Sequence, residues 1–233
     1  MHFLSRRRED IYRLNPAIFT GGGGAAQVRA LNPAAWFRLG RGITQAGGFA
    51  SQWDDQSGNG RHLKQTTGAA QPSVNANGSL LLNGTTQFMK TDPFTLNQPE
   101  TIYLLFKDLV WTNSARIWDG NLAATGAVLQ LNVSPQLLYN AGSSIGPVSL
   151  TIGALCVISV VANGASSSIQ INSAAPVTGD AGAVNMGGFT LGGAGGGTNF
   201  SNIEAWEAII FPTAHNATQK AQVIRYLNSV GGL

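Results

Sequence analysis

The sequence predicts an all-β fold in which short antiparallel strands enclose one core. Turn-forming residues recur at intervals of roughly 8 to 12 residues, the spacing found in β-sandwiches and barrels. Apolar and polar residues alternate in places, as in Ile169-Gln170-Ile171, which gives a strand one face to bury. Only one segment of the main body, near the end of the chain, has convincing helical periodicity. These observations favour two packed antiparallel sheets, or a barrel, over a fold of alternating strands and helices.

The candidate strands follow one another through the chain. They occupy residues 79–91, 100–111, 115–121, 127–133, 136–142, 155–176, 187–193 and 203–211. The first of these contains Asn83-Gly84 between apolar residues, which predicts a hairpin. Residues 216–232 are predicted to form a closing helix, with Asn216 or Thr218 as its N-cap and glycines at its end.

The first thirty residues are predicted to form an arm. Residues 3–14 have the spacing of a short amphipathic helix, and the glycine-rich residues 21–26 are expected to be a flexible joint. The sequence is therefore divided into an attachment arm, 1–30, and a single β domain, 31–233. The arm residues assigned to attachment are Arg6, Arg7, Arg8, Ile11 and Tyr12.

Composition excludes several classes of function. Charged residues are only 11% of the chain, and the net charge of +3 owes much to the arginines of the arm. Because the rest of the sequence has no basic stripe with interleaved aromatic residues, no nucleic-acid partner is predicted. The single cysteine, Cys156, lies in an apolar segment too short to cross a bilayer, and no signal peptide or membrane span is predicted.

A set of motifs resembles the laminin-G-like, concanavalin A-like jelly-roll superfamily. The motifs are WDDQSGNGRHLKQ, SLLLNGTTQFMKT, RIWDG, VISVVANGASSSIQINSAAP and the closing IEAWEAIIFPTAHNATQKAQVIRYL, in that order over about residues 34 to 230. The sequence is most similar to the modules of phage virion proteins and bacterial surface proteins. Ser173 stands where the family has a turn glycine. The resemblance implies an all-β, two-sheet antiparallel jelly-roll sandwich with a short C-terminal helix.

The WDDQSGNGRH stretch is the densest polar turn of the chain. Asp55, Ser57 and Asn59 have the alternate spacing with which a calcium loop begins, but Thr66 stands where such a loop needs its last carboxylate. The favoured interpretation is a turn in which these side chains bond to the nearby backbone. Calcium at Asp55, Ser57 and Asn59 is kept as the alternative, and no other cofactor is predicted.

Glycan hydrolysis is disfavoured by the placement of the carboxylates. Jelly-roll hydrolases carry acidic residues at alternate positions of one strand, so that two carboxylates share a face. Glu204 and Glu207 are three residues apart and are expected to face opposite sides of a strand, while Trp206 is expected to share the core face of Ala208 and Ile210. No catalytic residue is therefore assigned, and the protein is predicted not to be an enzyme.

Exposed aromatic and polar residues at strand ends are the candidates for binding a ligand. Among the five tryptophans, Trp111 is the best candidate for exposure, because it lies beside a polar loop. Trp111, Asp119 and Asn121 are assigned as the ligand-binding residues.

Two hypotheses of function follow. The first is a non-enzymatic phage virion protein, a capsid decoration or tail component, made in the host cytoplasm and attached to other virion proteins by its arm. Its jelly roll would be displayed on the particle, could contact host glycans, and is expected to form a homo-oligomer, with a trimer favoured. The alternative is a bacterial carbohydrate-binding module or a glycan-active enzyme domain.

Overall fold

The computed structural model describes residues 22–123 and 125–233. Within these residues the chain forms seventeen strands and two α-helices, and every pairing between strands is antiparallel. The strands are β1 (Ala35–Phe37), β2 (Ile43–Ala46), β3 (Phe49–Trp53), β4 (Leu63–Lys64), β5 (Ser73–Val74), β6 (Leu80–Asn83), β7 (Met89–Thr91), β8 (Glu100–Val110), β9 (Arg116–Asp119), β10 (Ala127–Gln130), β11 (Gln136–Asn140), β12 (Ser144–Ser149), β13 (Leu155–Ala162), β14 (Ser167–Ile171), β15 (Val177–Gly179), β16 (Thr190–Leu191) and β17 (Asn202–Phe211). The helices are α1 (Gly22–Ala30) and α2 (Ala217–Gly231).

The pairings form two series of neighbouring strands. In the first series, β1 and β6 both pair with β17, and the order continues through β8, β13 and β14 to β15. In the second series the order is β3, β4, β7, β16, β9, β10, β11 and β12. The short strand β5 joins the two series, because it pairs with both β3 and β6.

The main hydrophobic core contains side chains from both strand series. Alternate residues of β8, namely Ile102, Leu104 and Phe106, join it from the first series, and Val128 and Tyr139 join it from the second. A strand turns successive side chains to opposite faces, so each of these strands keeps a second face that points away from this core.

The second face of the first strand series carries its own apolar cluster, which the two helices cover. Tyr103 and Leu105 of β8 belong to it, together with Val223 and Leu227 of α2. Helix α2 begins with a capping box, in which Asn216 accepts from the backbone of Gln219 and the Gln219 side chain accepts from the backbone of Asn216. Gly232 ends it in the left-handed conformation. The predicted closing helix and its Asn216 cap are confirmed.

The glycine-rich segment is helical over residues 22–30, so the expectation of a flexible joint is wrong for that part of it. Helix α1 packs on α2, where a Cβ at Gly24 would lie 3.1 Å from the Tyr226 ring, and Val28 is fully buried. A glycine costs a helix about 1 kcal/mol relative to alanine. At Gly24 the close approach of α2 favours glycine, because an added Cβ would require the Tyr226 ring to shift. Residues 1–21, which hold most of the predicted arm, lie outside the described residues.

The hairpin predicted at Asn83-Gly84 is also wrong. The chain does turn there, with Gly84 at φ +73° and the Asn83 side chain accepting from Thr85 and Thr86. The strands on either side diverge, however, because β6 pairs with β17 in the first series and β7 pairs with β4 and β16 in the second. The turn therefore carries the chain from one strand series to the other. The all-β class is confirmed, and the two-sheet jelly-roll arrangement stays a prediction.

Candidate functional site

The polar turn at residues 53–62 is organised around Asp55. One carboxylate oxygen, Oδ1, accepts from the backbone N–H of Trp36 at 2.9 Å and of Ser57 at 2.8 Å. The other accepts from the Ser57 hydroxyl at 2.8 Å and the Arg61 N–H at 3.1 Å. Asn59 donates its amide to the carbonyls of Pro33 and Ala34. These bonds fasten the turn to the segment around β1, as the favoured interpretation requires.

Calcium at Asp55, Ser57 and Asn59 stays a prediction. The Asp55 oxygens are engaged as acceptors, so an ion there would compete with four N–H and O–H donors. Within residues 22–123 and 125–233, no group of three or more His, Cys, Asp or Glu side chains is placed to hold a metal ion.

The tryptophans differ in burial. Trp36, Trp53 and Trp118 are fully buried, and Trp111 and Trp206 are partly buried. Trp111 packs against the main core and donates its Nε1–H to the Leu131 carbonyl at 2.8 Å. It therefore fixes the Leu131 loop, and its assignment as a ligand-binding residue stays a prediction.

Asp119 is fully buried at the end of β9. It accepts from the backbone N–H groups of Gly120 at 2.8 Å, Thr125 at 3.1 Å and Gly195 at 3.3 Å. Its carboxylate also pairs with the Arg116 guanidinium, whose side chain is 14% exposed. Asp119 thus holds Arg116 in place and does not itself reach the surface.

Asn121 is partly buried beside Asp119. Its backbone N–H donates to Met186 at 2.9 Å, and its side-chain oxygen Oδ1 is buried without a hydrogen-bond partner. The three assigned ligand residues therefore do not form one surface. Trp111 and Asp119 instead support two residues, Leu131 and Arg116, that line a groove.

That groove lies on the face of β9 to β12 that points away from the main core, and we call it the β9–β12 groove. It measures about 480 Å³. Its lining residues are Asn113, Ser114, Arg116, Ala127, Leu129, Gln130, Leu131, Asn132, Leu138, Asn140 and Ser144. Arg116 and Leu138 are both register partners of Leu129, so these three side chains lie side by side across three strands.

The strand alternation explains why this groove has an aliphatic floor. Val128 and Tyr139 point into the main core, so their neighbours Leu129 and Leu138 point outward, where both are partly exposed. Asn113 and Asn132 lie at one end of the floor, and Asn140 lies at the other. The sequence analysis missed this site, although the alternation in residues 127–133 and 136–142 was a signal that could have found it.

The carboxylates of β17 share one face, contrary to the sequence prediction. The register of β17 against β8 shifts between Ala205 and Glu207, which is a β-bulge. Trp206 therefore does not share the core face of Ala208; it packs against the helix-covered cluster and donates to Glu204 at 2.9 Å. Glu207 lies on the same side, so counting residues along a regular strand gave the wrong faces for both Glu207 and Trp206.

Glu207 is buried where α2 meets the strands. Its Oε1 accepts from Trp36 Nε1–H at 2.6 Å and from the Tyr226 hydroxyl at 2.7 Å. Burial raises the pKa of Glu207, although both hydrogen bonds and the nearby Arg38 charge act in the opposite direction. Its contacts join β1, β17 and α2, so its role is structural.

Glu204 lies in a separate network. Its carboxylate accepts from the Ser79 hydroxyl at 2.6 Å and pairs with Lys107 at 3.0 Å. Burial alone would raise the pKa of Glu204, but the hydrogen bonds from Ser79, Lys107 and Asn77 outweigh it and hold the pKa below its usual value. A carboxylate whose pKa is lowered by these partners is a poor proton donor. The prediction that the protein is not an enzyme stays a prediction.

Two further acidic side chains point into the core. Glu100 is fully buried, and neither carboxylate oxygen has a hydrogen-bond partner. Burial raises its pKa to about 8, so it is neutral at pH 7. Asp108 of β8 accepts from the amide of Gln130 on β10, which links the two strand series, and burial raises its pKa to about 6.

His215 is buried at 5% exposure. Its Nδ1 lies 2.9 Å from the Tyr103 hydroxyl, and burial lowers its pKa to about 4. It contributes to the cluster under α2 and not to an exposed site. None of the helices in the described residues is long and apolar enough to cross a membrane.

Comparison with known proteins identifies the kind of fold and no family. No family model matches the chain, and no curated protein sequence matches it. Among solved structures, the Trypanosoma rangeli sialidase matches with a TM-score of 0.61 at 12% identity, over 85% of this chain and 33% of the sialidase. A GH54 α-L-arabinofuranosidase variant matches with a TM-score of 0.64 at 13% identity, over 85% of this chain and 59% of that enzyme.

The same arrangement recurs in an arabinofuranosidase complexed with arabinofuranosyl-α-1,2-xylobiose, with a TM-score of 0.62 at 12% identity. The chain spans a third of the length of the sialidase and about three fifths of the arabinofuranosidases. At these identities the likeness establishes a shared all-β fold. The specific resemblance to laminin-G-like and concanavalin A-like domains stays a prediction.

Proposed function

We propose that the protein is a carbohydrate-binding module with a two-sheet jelly-roll fold, and that it binds its glycan in the β9–β12 groove. The proposal favours the alternative hypothesis of the sequence analysis over the virion protein. It is supported by the chemistry of the groove and by the similarity of the fold to proteins that act on glycans.

The two strand series are the proposed sheets of the jelly roll. Both contribute to the main core, and side chains from the two series meet there. Phe37 of β1 stacks on Phe189, the residue before β16, with ring centroids 6.4 Å apart. The buried Asp108–Gln130 pair joins β8 to β10 in the same way. Two antiparallel sheets packed face to face produce one such shared core.

The β9–β12 groove carries the functional argument. Binding pockets for small ligands combine an apolar surface with a few polar groups that fix orientation. Leu129 and Leu138 form an apolar floor, suited to the C–H face of a sugar ring. The amides of Asn113 and Asn132 supply both donors and acceptors for sugar hydroxyls, while the Asn140 amide donates to the Ser144 hydroxyl at 2.8 Å and accepts from the Gly142 N–H at 3.2 Å.

The lining of this groove favours binding over hydrolysis. Glycoside hydrolysis uses two carboxyl groups on either side of the scissile bond. Among the described residues that line the groove, none is Asp or Glu, and its one charged side chain is Arg116. We therefore propose that a bound glycan is held without being cleaved.

The virion hypothesis stays a prediction. The arm residues Arg6, Arg7, Arg8, Ile11 and Tyr12, which were expected to dock on other virion proteins, lie outside the described residues. The expected homotrimer and the virion location likewise remain predictions.

The proposed function is tested by removing the amides from one end of the groove. Asn113 and Asn132 are exposed, and within the described residues the side chain of Asn113 bonds only to Ser114, so we expect a double change to alanine to leave the fold intact. Each lost hydrogen bond is worth about 1 kcal/mol, so glycan affinity should fall by about tenfold or more. Asn97→Ala is the matched control, since Asn97 is exposed and does not line the groove.

The measurement is a glycan array followed by calorimetric titration of the best ligand. We expect at least one glycan to bind the wild-type chain and the Asn97→Ala control equally well. A complete absence of glycan binding by the wild-type chain would overturn the proposed function. Glycan binding that the Asn113→Ala, Asn132→Ala double variant leaves unchanged would place the site elsewhere on the molecule.

A further inference from the structure

We infer that the β9–β12 groove takes an uncharged glycan whose chain runs across the strands. This inference rests on the proposed function and adds the class of ligand and its direction. It is carried by the pairing of Arg116 with Asp119 beneath the groove and by the register of β9, β10 and β11.

Arg116 is the one charged residue among those that line the groove. Its charge is offset by Asp119, which is fully buried and in direct contact with the guanidinium. The Asp119 carboxylate is fixed by three backbone N–H groups, those of Gly120, Thr125 and Gly195. Because the carboxylate and the guanidinium carry opposite charges and are in contact, the pair presents little net charge to the groove.

An acidic sugar would gain little from this arrangement. Arginine recognises carboxylates best when its planar fork is available for two parallel hydrogen bonds. Here Asp119 already accepts from part of the Arg116 guanidinium. Its negative charge would repel a ligand carboxylate that approached Arg116 from the groove. The remaining polar groups of the lining are amides and hydroxyls, which pair with neutral hydroxyl groups at no electrostatic cost.

The direction of the ligand follows from the register. Arg116, Leu129 and Leu138 form a row across three neighbouring strands. Strands lie about 4.8 Å apart, so the row is about 10 Å long, which a short oligosaccharide covers. Asn113 and Asn132 lie on one side of this row, where their exposed amides can bond hydroxyl groups along one edge of the chain.

The test uses ligands that differ only in charge. An array is prepared with neutral oligosaccharides, oligogalacturonates and the methyl esters of the same oligogalacturonates. We expect the ligands that bind to be uncharged, with affinities that stay within about twofold between ~50 and ~500 mM NaCl. Tighter binding of acidic members, weakened by salt, would overturn this inference and leave the proposed glycan-binding function intact. An array with no bound sugar would instead overturn the proposed function itself.

A variant that adds a positive charge to the groove tests directly whether Asp119 offsets the charge of Arg116. Asn132→Lys adds a cation at an exposed position of the groove that no carboxylate faces, so affinity for oligogalacturonate at low salt should rise at least about fivefold. The methyl esters should not share the gain, and Asn97→Lys, which places the same charge away from the groove, should show none. An equal gain in both lysine variants would mean that overall charge, and not the groove, governs acidic ligands. No gain in Asn132→Lys would contradict the assigned ligand path.

Discussion

At the scale of single residues, the buried carboxyl groups make the stability of the fold depend on pH. Glu100 is fully buried with no hydrogen-bond partner at either oxygen, and burial raises its pKa to about 8 from 4.5. An acid whose pKa is raised on folding binds its proton more tightly in the folded state. The stability of the fold therefore decreases as pH rises from 4.5 to 8, by about 1.4 kcal/mol per pH unit.

Glu100→Gln should therefore stabilise the protein at neutral pH. The amide keeps the shape of the neutral carboxyl group and has no proton to lose, so the free energy of unfolding at pH 7 should rise by about 3 kcal/mol. Urea unfolding from pH 5 to pH 8 measures this change, and the gain should be small at pH 5. Asp92→Asn is the control, because Asp92 is highly exposed, and it should leave the pH dependence as it is in the wild type. A gain that is equal at both pH values would mean that Glu100 is not the titrating group.

Sequence reasoning identified few of these individual roles. Asp119 was assigned as a ligand residue, and the structure places it beneath the groove as the partner of Arg116. Glu100 and Asp108 lie in an apolar stretch whose alternation gives no sign that a carboxyl group points inward. Whether such a carboxyl group points inward depends on which strands become neighbours, and contacts between residues far apart in the chain determine those neighbours.

At the scale of elements, local signals predicted helix α2 well and strand irregularities poorly. The cap, the apolar stripe and the terminal glycines of α2 all act within a few residues, so they can be read directly from the sequence. The bulge in β17 cannot, because it is defined by pairing with β8. Helix α1 was missed for a similar reason, since its glycines locally oppose a helix and the contact of Gly24 with Tyr226 forms only when α2 packs against α1.

The capping box predicts the cost of removing the α2 cap. Asn216→Ala should lower the free energy of unfolding by about 1 kcal/mol, because the Gln219 N–H loses its acceptor and the box is broken. Thermal or urea unfolding measures the loss. Asn163→Ala is the matched control, since Asn163 precedes a 3-10 turn and its side chain caps no N–H. A loss of equal size in the control would show that the capping bond is not responsible.

At the scale of the whole molecule, the all-β class followed from the spacing of turns, while the pairing of strands did not. The Asn83-Gly84 turn shows the difference. A local rule identifies the turn, but whether its flanking strands pair with each other depends on which partners compete for them. Here β6 pairs with β17, while β7 pairs with β4 and β16. The groove was missed because its floor is assembled from three strands, which no single segment reveals.

Close contact between the two strand series is tested at Gly192. This residue follows β16, and a Cβ there would lie 2.1 Å from Cδ2 of Leu82, a fully buried residue of β6. Gly187 also has a positive φ, +61°, but its Cβ would meet no atom within 4 Å. Gly187→Ala should cost about 1–2 kcal/mol from backbone conformation alone. Gly192→Ala should cost a further 1–3 kcal/mol, about the usual cost of overpacking a core, as measured by urea unfolding. Equal losses would mean that the two series are not tightly packed at this point.

Helices α1 and α2 and the β9–β12 groove lie on opposite sides of the molecule. The helices cover one outer surface of the first strand series, and the β9–β12 groove opens on the far side of the main core. Residue 22, where α1 begins, and Leu233, which follows α2, lie with these helices on the side opposite the groove. Under the proposed glycan-binding function, several copies held by their helix-covered sides would all present their grooves outward, and weak individual affinities would combine into strong avidity for a surface coated with repeating sugars.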